Sequence, residues 1–307
     1  MATDLSLEAP SPPAGSAPAS TIRRRSPGAL LRLLWASPFA YLALFLVAPM
    51  VLVALMSTWS VNNTYHVVHH SSLTNYRTVF GDSVYRALFL KSLEVATLVT
   101  VVTLLIALPL AYFIATMRSA RLRRVLFGLV VIPSGTSFLI RTYSWITLLG
   151  QGGVLRWSLS DLGVAHAPQL LFTQWAVVIS LSYTYLTFMF LPLYSSFVKL
   201  DRSLLECAHN LGATPAFRFL RVTLPLAKPA LAAGFLLVFV PSLGEYATPA
   251  LLGGANGELY GNVIQTWVLQ LDFPLAAALS VVLLVVVVGS VAFIGHWIGL
   301  TRVWTEW

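Results

Sequence analysis

The stretch that decides how this chain folds runs from Glu206 to Pro225. It reads E-C-A-H-N-L-G-A-T-P-A-F-R-F-L-R-V-T-L-P and lies between two long apolar segments. Its first residues favour a helix, Gly212 permits a bend that a side chain would resist, and Pro215 suits the first turn of a new helix. Apolar residues at spacings of three and four then form one stripe. The stretch therefore predicts two short helices that meet at a hinge, although a plain connector between spans is the alternative interpretation.

The composition places the chain among membrane proteins. Of its 307 residues, 57% are hydrophobic and only 10% are charged, and the mean hydropathy is +0.79. A soluble domain is nearer half apolar and a quarter charged. The net charge of +8 does not indicate nucleic acid, because the cations gather in short loops between apolar runs. We therefore expect membrane lipid as the surroundings and no nucleic-acid partner.

Six apolar segments reach roughly the 20 residues that a helix needs to cross a bilayer. They cover about residues 36–59, 92–116, 125–149, 172–197, 230–252 and 275–300. Helices are required, since exposed strand edges would leave backbone groups unpaired in lipid. Residues 1–28 are rich in Ala, Ser and Pro without apolar periodicity, which predicts a disordered tail. The prediction is an all-α membrane protein with one six-helix transmembrane domain over residues 29–307.

The Lys and Arg residues of the loops predict the orientation. Thirteen lie in the tail and in the second-to-third and fourth-to-fifth loops, whereas four lie in the loops on the other side. Short loops rich in Lys and Arg stay in the cytoplasm. We therefore expect both termini and the stretch 206–225 on the cytoplasmic side.

The sequence contains no recognisable catalytic or metal-binding constellation. Cys207 is the only cysteine, so neither an intrachain disulfide nor a cysteine metal cluster can form. His66, His69 and His70 cluster on a predicted outer loop, where a solvated loop is a commoner explanation than a metal site. Walker A, H-E-x-x-H and G-x-S-x-G motifs are absent. We therefore predict a protein that is not an enzyme, so any ATP that drives it must be hydrolysed by another chain.

The stretch 206–225 resembles the E-A-A loop of bacterial ATP-binding-cassette (ABC) importer permeases. That loop reads E-A-A, three residues, G, nine residues, then I-x-L-P, and here Cys207 and Val222 replace an alanine and the isoleucine. The resemblance implies a type I importer (MetI-like) transmembrane fold whose loop docks into a cleft of a cytoplasmic ATPase. It implies that the residues coupled to the ATPase are Glu206, Cys207, Ala208, Asn210, Leu211, Gly212 and Ala213.

Further stretches narrow the resemblance to the spermidine/putrescine permeases. Ser137 to Trp145 resembles the third-span signature of that group, and Gly244 to Gly254 is similar to its fifth span. The pair Asn75-Tyr76 before the second predicted span also fits. The resemblance covers roughly residues 73–298 and implies transport of polyamines across the bacterial inner membrane.

The resemblance also implies an assembly. The expected partners are a second permease subunit, an ABC ATPase dimer that binds ATP and Mg²⁺, and an extracytoplasmic solute-binding protein, so this chain itself would bind no cofactor. Related permeases serve opines, phosphonates, thiamine or ferric iron, and these solutes stay open as alternatives. Rivals from other classes are an ATPase-independent secondary transporter and a membrane-embedded enzyme.

Three ionisable residues fall inside predicted spans: Glu94, Arg141 and Glu245. Counted along straight helices, Arg141 and Glu245 lie about 25 Å from the cytoplasmic edge, and Glu94 lies at a similar depth. One interpretation is snorkelling to the outer interface together with an Arg–Glu pair between helices. The other is that a glutamate faces the translocation path and contacts a cationic solute.

Two predicted spans are interrupted beside these charges. Residues 132–137 read I-P-S-G-T-S, and residues 241–245 read P-S-L-G-E. Pro and Gly free backbone carbonyls that need protein or water nearby, so such breaks often line a cavity, although simple kinks are the alternative. Tyr143, Trp145 and Tyr246 lie beside the breaks and are either interfacial aromatics or π faces for an ammonium group. The candidate path therefore comprises Glu94, Arg141, Tyr143, Trp145, Glu245 and Tyr246.

Overall fold

The structure, a computed structural model, describes residues 41–61, 67–69, 71–161 and 169–298. The predicted tail, 1–28, lies outside these residues. The chain divides into two units, 1–50 and 51–307. In the first, residues 41–50 are helical and apolar. The second holds nearly all the other elements and is the unit described below.

The described residues are almost entirely helical. The helices are α1 (Ala48–Met56), α2 (Thr74–Gly81), α3 (Ser83–Thr116), α4 (Ala120–Val131), α5 (Phe138–Leu149), α6 (Val154–Asp161), α7 (Gln174–Val198), α8 (Arg202–Asn210), α9 (Pro215–Arg218), α10 (Leu224–Leu226), α11 (Lys228–Leu243), α12 (Tyr260–Leu269) and α13 (Phe273–Ile298). Short π-helical turns cover Ala43–Val47, Phe219–Thr223 and Pro249–Gly253, and 3₁₀ turns cover Ile132–Gly135 and Ala255–Gly257. Two strands, β1 (Ser60–Val61) and β2 (Val67–Val68), pair antiparallel with Ser60 opposite Val68.

Three helices of the described residues are long and apolar enough to cross a membrane: 83–116, 174–198 and 273–296. Two further spans result if each bent pair of helices counts as one, namely 120–135 with 138–158 and 215–226 with 228–243. A shorter apolar helix, Ala43–Met56, falls in the first predicted span, whose residues 36–40 lie outside the described part. The count of six spans therefore stays a prediction.

The bends change the geometry expected of the third and fifth spans. The first pair turns by 100° at residues 136–137, and the second turns by 69° at Ala227. The straight-helix distance from the cytoplasmic edge to Arg141 therefore does not apply. In the fifth span α11 ends at Leu243, and the chain passes Gly244 before it turns again at Pro249–Gly253. The breaks predicted from Pro and Gly lie at or beside these sites.

Helices α3, α7 and α11 pack against one another and form the core. On α7 the large side chains Leu181, Met189 and Phe190 are completely buried. α11 approaches α7 closely at Gly234, where an added Cβ would lie 2.6 Å from Met189 Sδ and 3.4 Å from the Met189 carbonyl oxygen. An added side chain at position 234 would therefore have to displace the buried Met189 side chain, so glycine favours the close approach of these two helices.

Candidate functional site

The joint between α8 and α9 has the geometry of a Schellman motif. Gly212 has φ +81°, its N–H donates to the His209 carbonyl at 2.9 Å, and the Ala213 N–H donates to the Ala208 carbonyl at 3.0 Å. These two bonds satisfy carbonyls that the end of α8 would otherwise leave unpaired. A Cβ on Gly212 would meet nothing within 4 Å, so the backbone conformation, and not space, requires glycine there.

Both helices of the joint have side-chain caps. The Asp201 carboxylate accepts from the Ser203 N–H at 2.9 Å and caps α8, while the Thr214 hydroxyl accepts from the Phe217 N–H at 3.3 Å and caps α9. Pro215 occupies the first turn of α9, as its fixed φ favours. Local sequence thus specifies the two short helices and the hinge that were predicted.

The surface of this joint is largely exposed and partly apolar. The Leu211 side chain is 87% exposed, and Leu204, Phe217 and Leu220 are also exposed. Among the predicted coupling residues, Glu206, Cys207, Asn210 and Gly212 are exposed, whereas Ala208 and Ala213 are half-buried. An apolar surface mixed with polar groups is typical of an interaction site.

Aromatic rings connect the joint to the helix core. The Tyr112 ring of α3 makes edge-on contacts with Phe197 of α7, at 5.6 Å, and with Phe219, directly after α9, at 5.0 Å. Beside these rings lies a cavity of about 290 Å³ that Glu206 and Arg218 also line. The Arg218 Nε is buried without a hydrogen-bond partner in the described part of the chain. Packed side chains therefore link the joint directly to α3 and α7.

Arg141 stabilises the bend between α4 and α5. Its Nη2 donates to the Thr136 carbonyl at 2.9 Å and to the Ser134 carbonyl at 3.3 Å, the carbonyls that the break leaves free. Both acceptors are backbone carbonyls, and within the described residues no Arg–Glu pair of the kind that the sequence left open joins Arg141 to another helix, while its Nε is buried without a partner there. The structure indicates a local structural role that the spacing of charges did not reveal.

Glu245 lies at the break that follows α11 and accepts three hydrogen bonds. Its Oε1 accepts from the Thr248 N–H at 3.1 Å and from the Thr248 hydroxyl at 3.3 Å, and its Oε2 accepts from the Tyr185 hydroxyl at 3.0 Å. Tyr185 belongs to α7 and is 9% exposed, and Thr248 is fully buried. Sequence analysis missed both donors. The spacing from Glu245 to Thr248 was a usable signal, because acidic residues near helix N-termini bind backbone N–H groups.

The structure brings most of the other candidate path residues into one region. α5, which carries Arg141, Tyr143 and Trp145, packs against the turn Pro249–Gly253 and against α7. The Trp145 ring contacts the Tyr183 ring edge-on at 5.7 Å. Tyr143 and Tyr246 are 57% and 46% exposed.

Glu94 is exposed on α3, the helix that packs against α12. Close by, the Ser92 hydroxyl accepts from the Tyr260 N–H at 2.7 Å. Within the described residues, no three His, Cys, Asp or Glu side chains lie together as metal ligands would.

Long apolar helices, two broken spans and an exposed helix pair attached to their core define an integral membrane transport subunit. The family model described as "Binding-protein-dependent transport system inner membrane component" matches residues 107–299, which is more than half of the chain. The chain belongs to this family. This match confirms the prediction, made from the E-A-A-like loop, that the chain is an importer permease.

Curated relatives are similar over most of their length. The spermidine/putrescine transport system permease protein PotB of Haemophilus influenzae is 38% identical over 245 residues, 79% of this chain and 85% of the relative. PotB of Escherichia coli K12 is 37% identical over 248 residues, 80% of this chain and 90% of the relative. The inner membrane ABC transporter permease protein YdcU of the same organism is 31% identical over 244 residues, 75% of this chain and 77% of the relative.

Solved structures confirm the fold. A chain of a bacterial ABC transporter involved in alginate import has a TM-score of 0.69 and 20% identity, covering 87% of this chain and 94% of its own. A chain of a bacterial alginate ABC transporter, solved in complex with an alginate pentasaccharide-bound periplasmic protein, has a TM-score of 0.71 and 20% identity. The match covers 87% of this chain and 93% of that chain. The all-α type I importer fold predicted from the sequence is therefore correct.

Proposed function

We propose that this chain is the transmembrane permease subunit of an ABC importer for polyamines such as spermidine and putrescine. The observation that carries the proposal is the 37–38% identity to PotB permeases over 79–80% of the chain. The subunit moves solute by alternating access, in which each ligand binds the inward-open and outward-open states with different affinity.

The joint between α8 and α9 couples the spans to a separate ATPase dimer. Leu211 and Phe217 supply exposed apolar contacts for a partner, and Glu206 supplies a charge beside them. The Schellman geometry at Gly212 fixes the angle between the two helices, so force on the joint is not lost in a flexible loop. ATP and Mg²⁺ bind to the partner, and this chain has no enzymatic role.

Three partners complete the importer: a second permease subunit, the ATPase dimer and an extracytoplasmic solute-binding protein. The periplasmic protein bound to the alginate transporter supports the last of these by analogy of fold. The chain lies in the bacterial inner membrane, and the excess of Lys and Arg on one side of the predicted spans supports a cytoplasmic location for both termini and the joint.

The test is uptake of labelled putrescine and spermidine in a strain that lacks this gene and any redundant polyamine importer. The strain is complemented with wild type, Gly212→Ala or Gly289→Ala. Both glycines have open space around an added Cβ, but only Gly212 has a positive φ, so Gly289→Ala is a matched control. We expect wild type and the control to restore uptake and Gly212→Ala to reduce it.

Two results would contradict the proposal in different ways. Equal uptake by Gly212→Ala and wild type would refute the coupling role of the joint. No polyamine uptake by wild type, although an ATPase co-purifies with it, would assign the importer to another solute, such as an opine, a phosphonate, thiamine or ferric iron.

A further inference from the structure

The carboxylate of Glu245 is held by uncharged donors alone. The Tyr185 hydroxyl, the Thr248 N–H and the Thr248 hydroxyl approach it at 3.0, 3.1 and 3.3 Å. Within the described residues, no nitrogen of a basic side chain forms an ion pair with the Glu245 carboxylate at 4.0 Å or less. Arg141, the nearby span cation, donates to backbone carbonyls instead. A carboxylate inside the apolar domain therefore lacks a counter-cation from this part of the protein.

The position of Glu245 makes this lack of a cation significant. Glu245 lies two residues past Leu243, the last residue of α11, at the end of that helix away from Lys228 and the joint. α11 belongs to one of the two bent helix pairs that are long and apolar enough to count as a span. An ionised side chain in such a segment is retained where it pairs with another charge or faces a polar pathway.

The donors also fix how the carboxylate is oriented. An ionised carboxylate offers about four acceptor positions, and here Thr248 uses two of Oε1 while Tyr185 uses one of Oε2. One position on Oε2 is left for a further donor. Tyr185 is 9% exposed and Thr248 is fully buried, so both are held by packing. Glu245 itself is only partly buried, so an incoming donor can reach it.

We propose that Glu245 binds an ammonium group of the solute during its passage, and that Tyr185 and Thr248 are the positioning residues that orient the carboxylate for it. A protonated primary amine supplies both the missing positive charge and an N–H donor for the vacant acceptor position. This inference rests on the proposed function, since it specifies the group of the transported amine that the permease recognises. It adds Tyr185 and Thr248 to the transport machinery.

The experiment uses the complete importer, with its ATPase and solute-binding protein, reconstituted in proteoliposomes. Uptake rates are measured at saturating solute-binding protein for putrescine and for N,N′-diacetylputrescine, in which neutral amides replace both ammonium groups. The variants are Glu245→Gln, Tyr185→Phe and Thr248→Val. Thr248→Ser keeps the hydroxyl as a conservative rescue. Tyr194→Phe removes a hydroxyl elsewhere on α7 as a matched control.

We expect Glu245→Gln to lower the maximal rate of putrescine uptake roughly tenfold or more, because a hydrogen bond to a charged group is lost together with the charge. Tyr185→Phe and Thr248→Val lower it by a smaller factor, about threefold to tenfold, since each removes one bond to the carboxylate. Thr248→Ser and Tyr194→Phe retain the wild-type rate. The ratio of putrescine to N,N′-diacetylputrescine uptake falls in Glu245→Gln, whereas a purely structural glutamate would affect both solutes equally.

The outcomes separate this inference from the proposed function. Wild-type uptake of putrescine together with unchanged uptake by Glu245→Gln would overturn the inference and leave the proposed function intact. Equal losses for both solutes in every variant would also overturn it and assign Glu245 to capping the turn that follows α11. If the wild-type importer takes up no putrescine, the polyamine assignment fails as well.

Discussion

Replacing Gly261 by alanine tests how tightly α12 packs against the break that carries Glu245. A Cβ at Gly261 would lie 2.7 Å from the Glu245 carbonyl oxygen and 2.9 Å from that of Gly244. Both obstructing atoms belong to the backbone and cannot move away as the end of a side chain could. Overpacking of this kind costs about 1–3 kcal/mol. We therefore expect Gly261→Ala to destabilise the folded permease and to displace the carboxylate.

Gly257 provides a matched control four residues away. The same Cβ there would lie 3.8 Å from the Pro249 carbonyl oxygen and 3.9 Å from Val177 Cγ2, which are ordinary contacts. The assay is the thermal unfolding midpoint of the purified permease complex in detergent, followed by uptake. A loss of 1–3 kcal/mol corresponds to about 2–4 °C for each kcal/mol in a domain of this size. Equal midpoints for Gly261→Ala and Gly257→Ala would refute the argument from backbone contact.

Three further predictions concern other parts of the domain. Gly234→Ala should lower the unfolding midpoint because its Cβ would lie 2.6 Å from Met189 Sδ, and Met189→Ala should restore part of the loss in a double-mutant cycle; additive effects would contradict the contact. Arg141→Ala should cost about 1–3 kcal/mol of stability, because two carbonyls at the bend lose their donor; an unchanged midpoint would show that water replaces it. The N–H and hydroxyl of Ser203 lower the pKa of Asp201, so its cap on α8 is fully present above the ordinary value of 3.8 and is lost as the pH falls through the lowered pKa. At pH 7 the wild type keeps this cap, so Asp201→Ala should lower the amount of ATPase that co-purifies with the permease. Equal amounts of ATPase with the variant and the wild type would show that the cap does not contribute to ATPase binding.

The features that the sequence predicted best depend on neighbours along the chain. The hinge glycine Gly212 and Pro215 in the first turn of α9 were predicted because they lie three residues apart, and the structure adds the Thr214 cap between them. The membrane class followed from composition, because apolar runs of this length have few other uses. The E-A-A-like pattern then indicated a family that the comparisons confirmed.

Features that depend on the path of the chain in space were missed. Pro133 and Gly135 indicated a break, but neither residue specifies the 100° turn, which placed Arg141 where it caps carbonyls instead of continuing a straight span. The hydrogen bond between Tyr185 and Glu245 joins residues 60 positions apart. No local pattern predicts such a partner, since it depends on how α7 packs against the end of α11.

The close approach of Gly234 to Met189 has a mechanical consequence. α7 ends at Val198 and α11 begins at Lys228, so these two helices flank the joint on its N-terminal and C-terminal sides. An added Cβ at Gly234 would already contact both the side chain and the backbone of Met189, so the two helices have little room to slide past each other. We expect a force applied to the joint to tilt α7 and α11 together, so that the two helices move as one rigid unit.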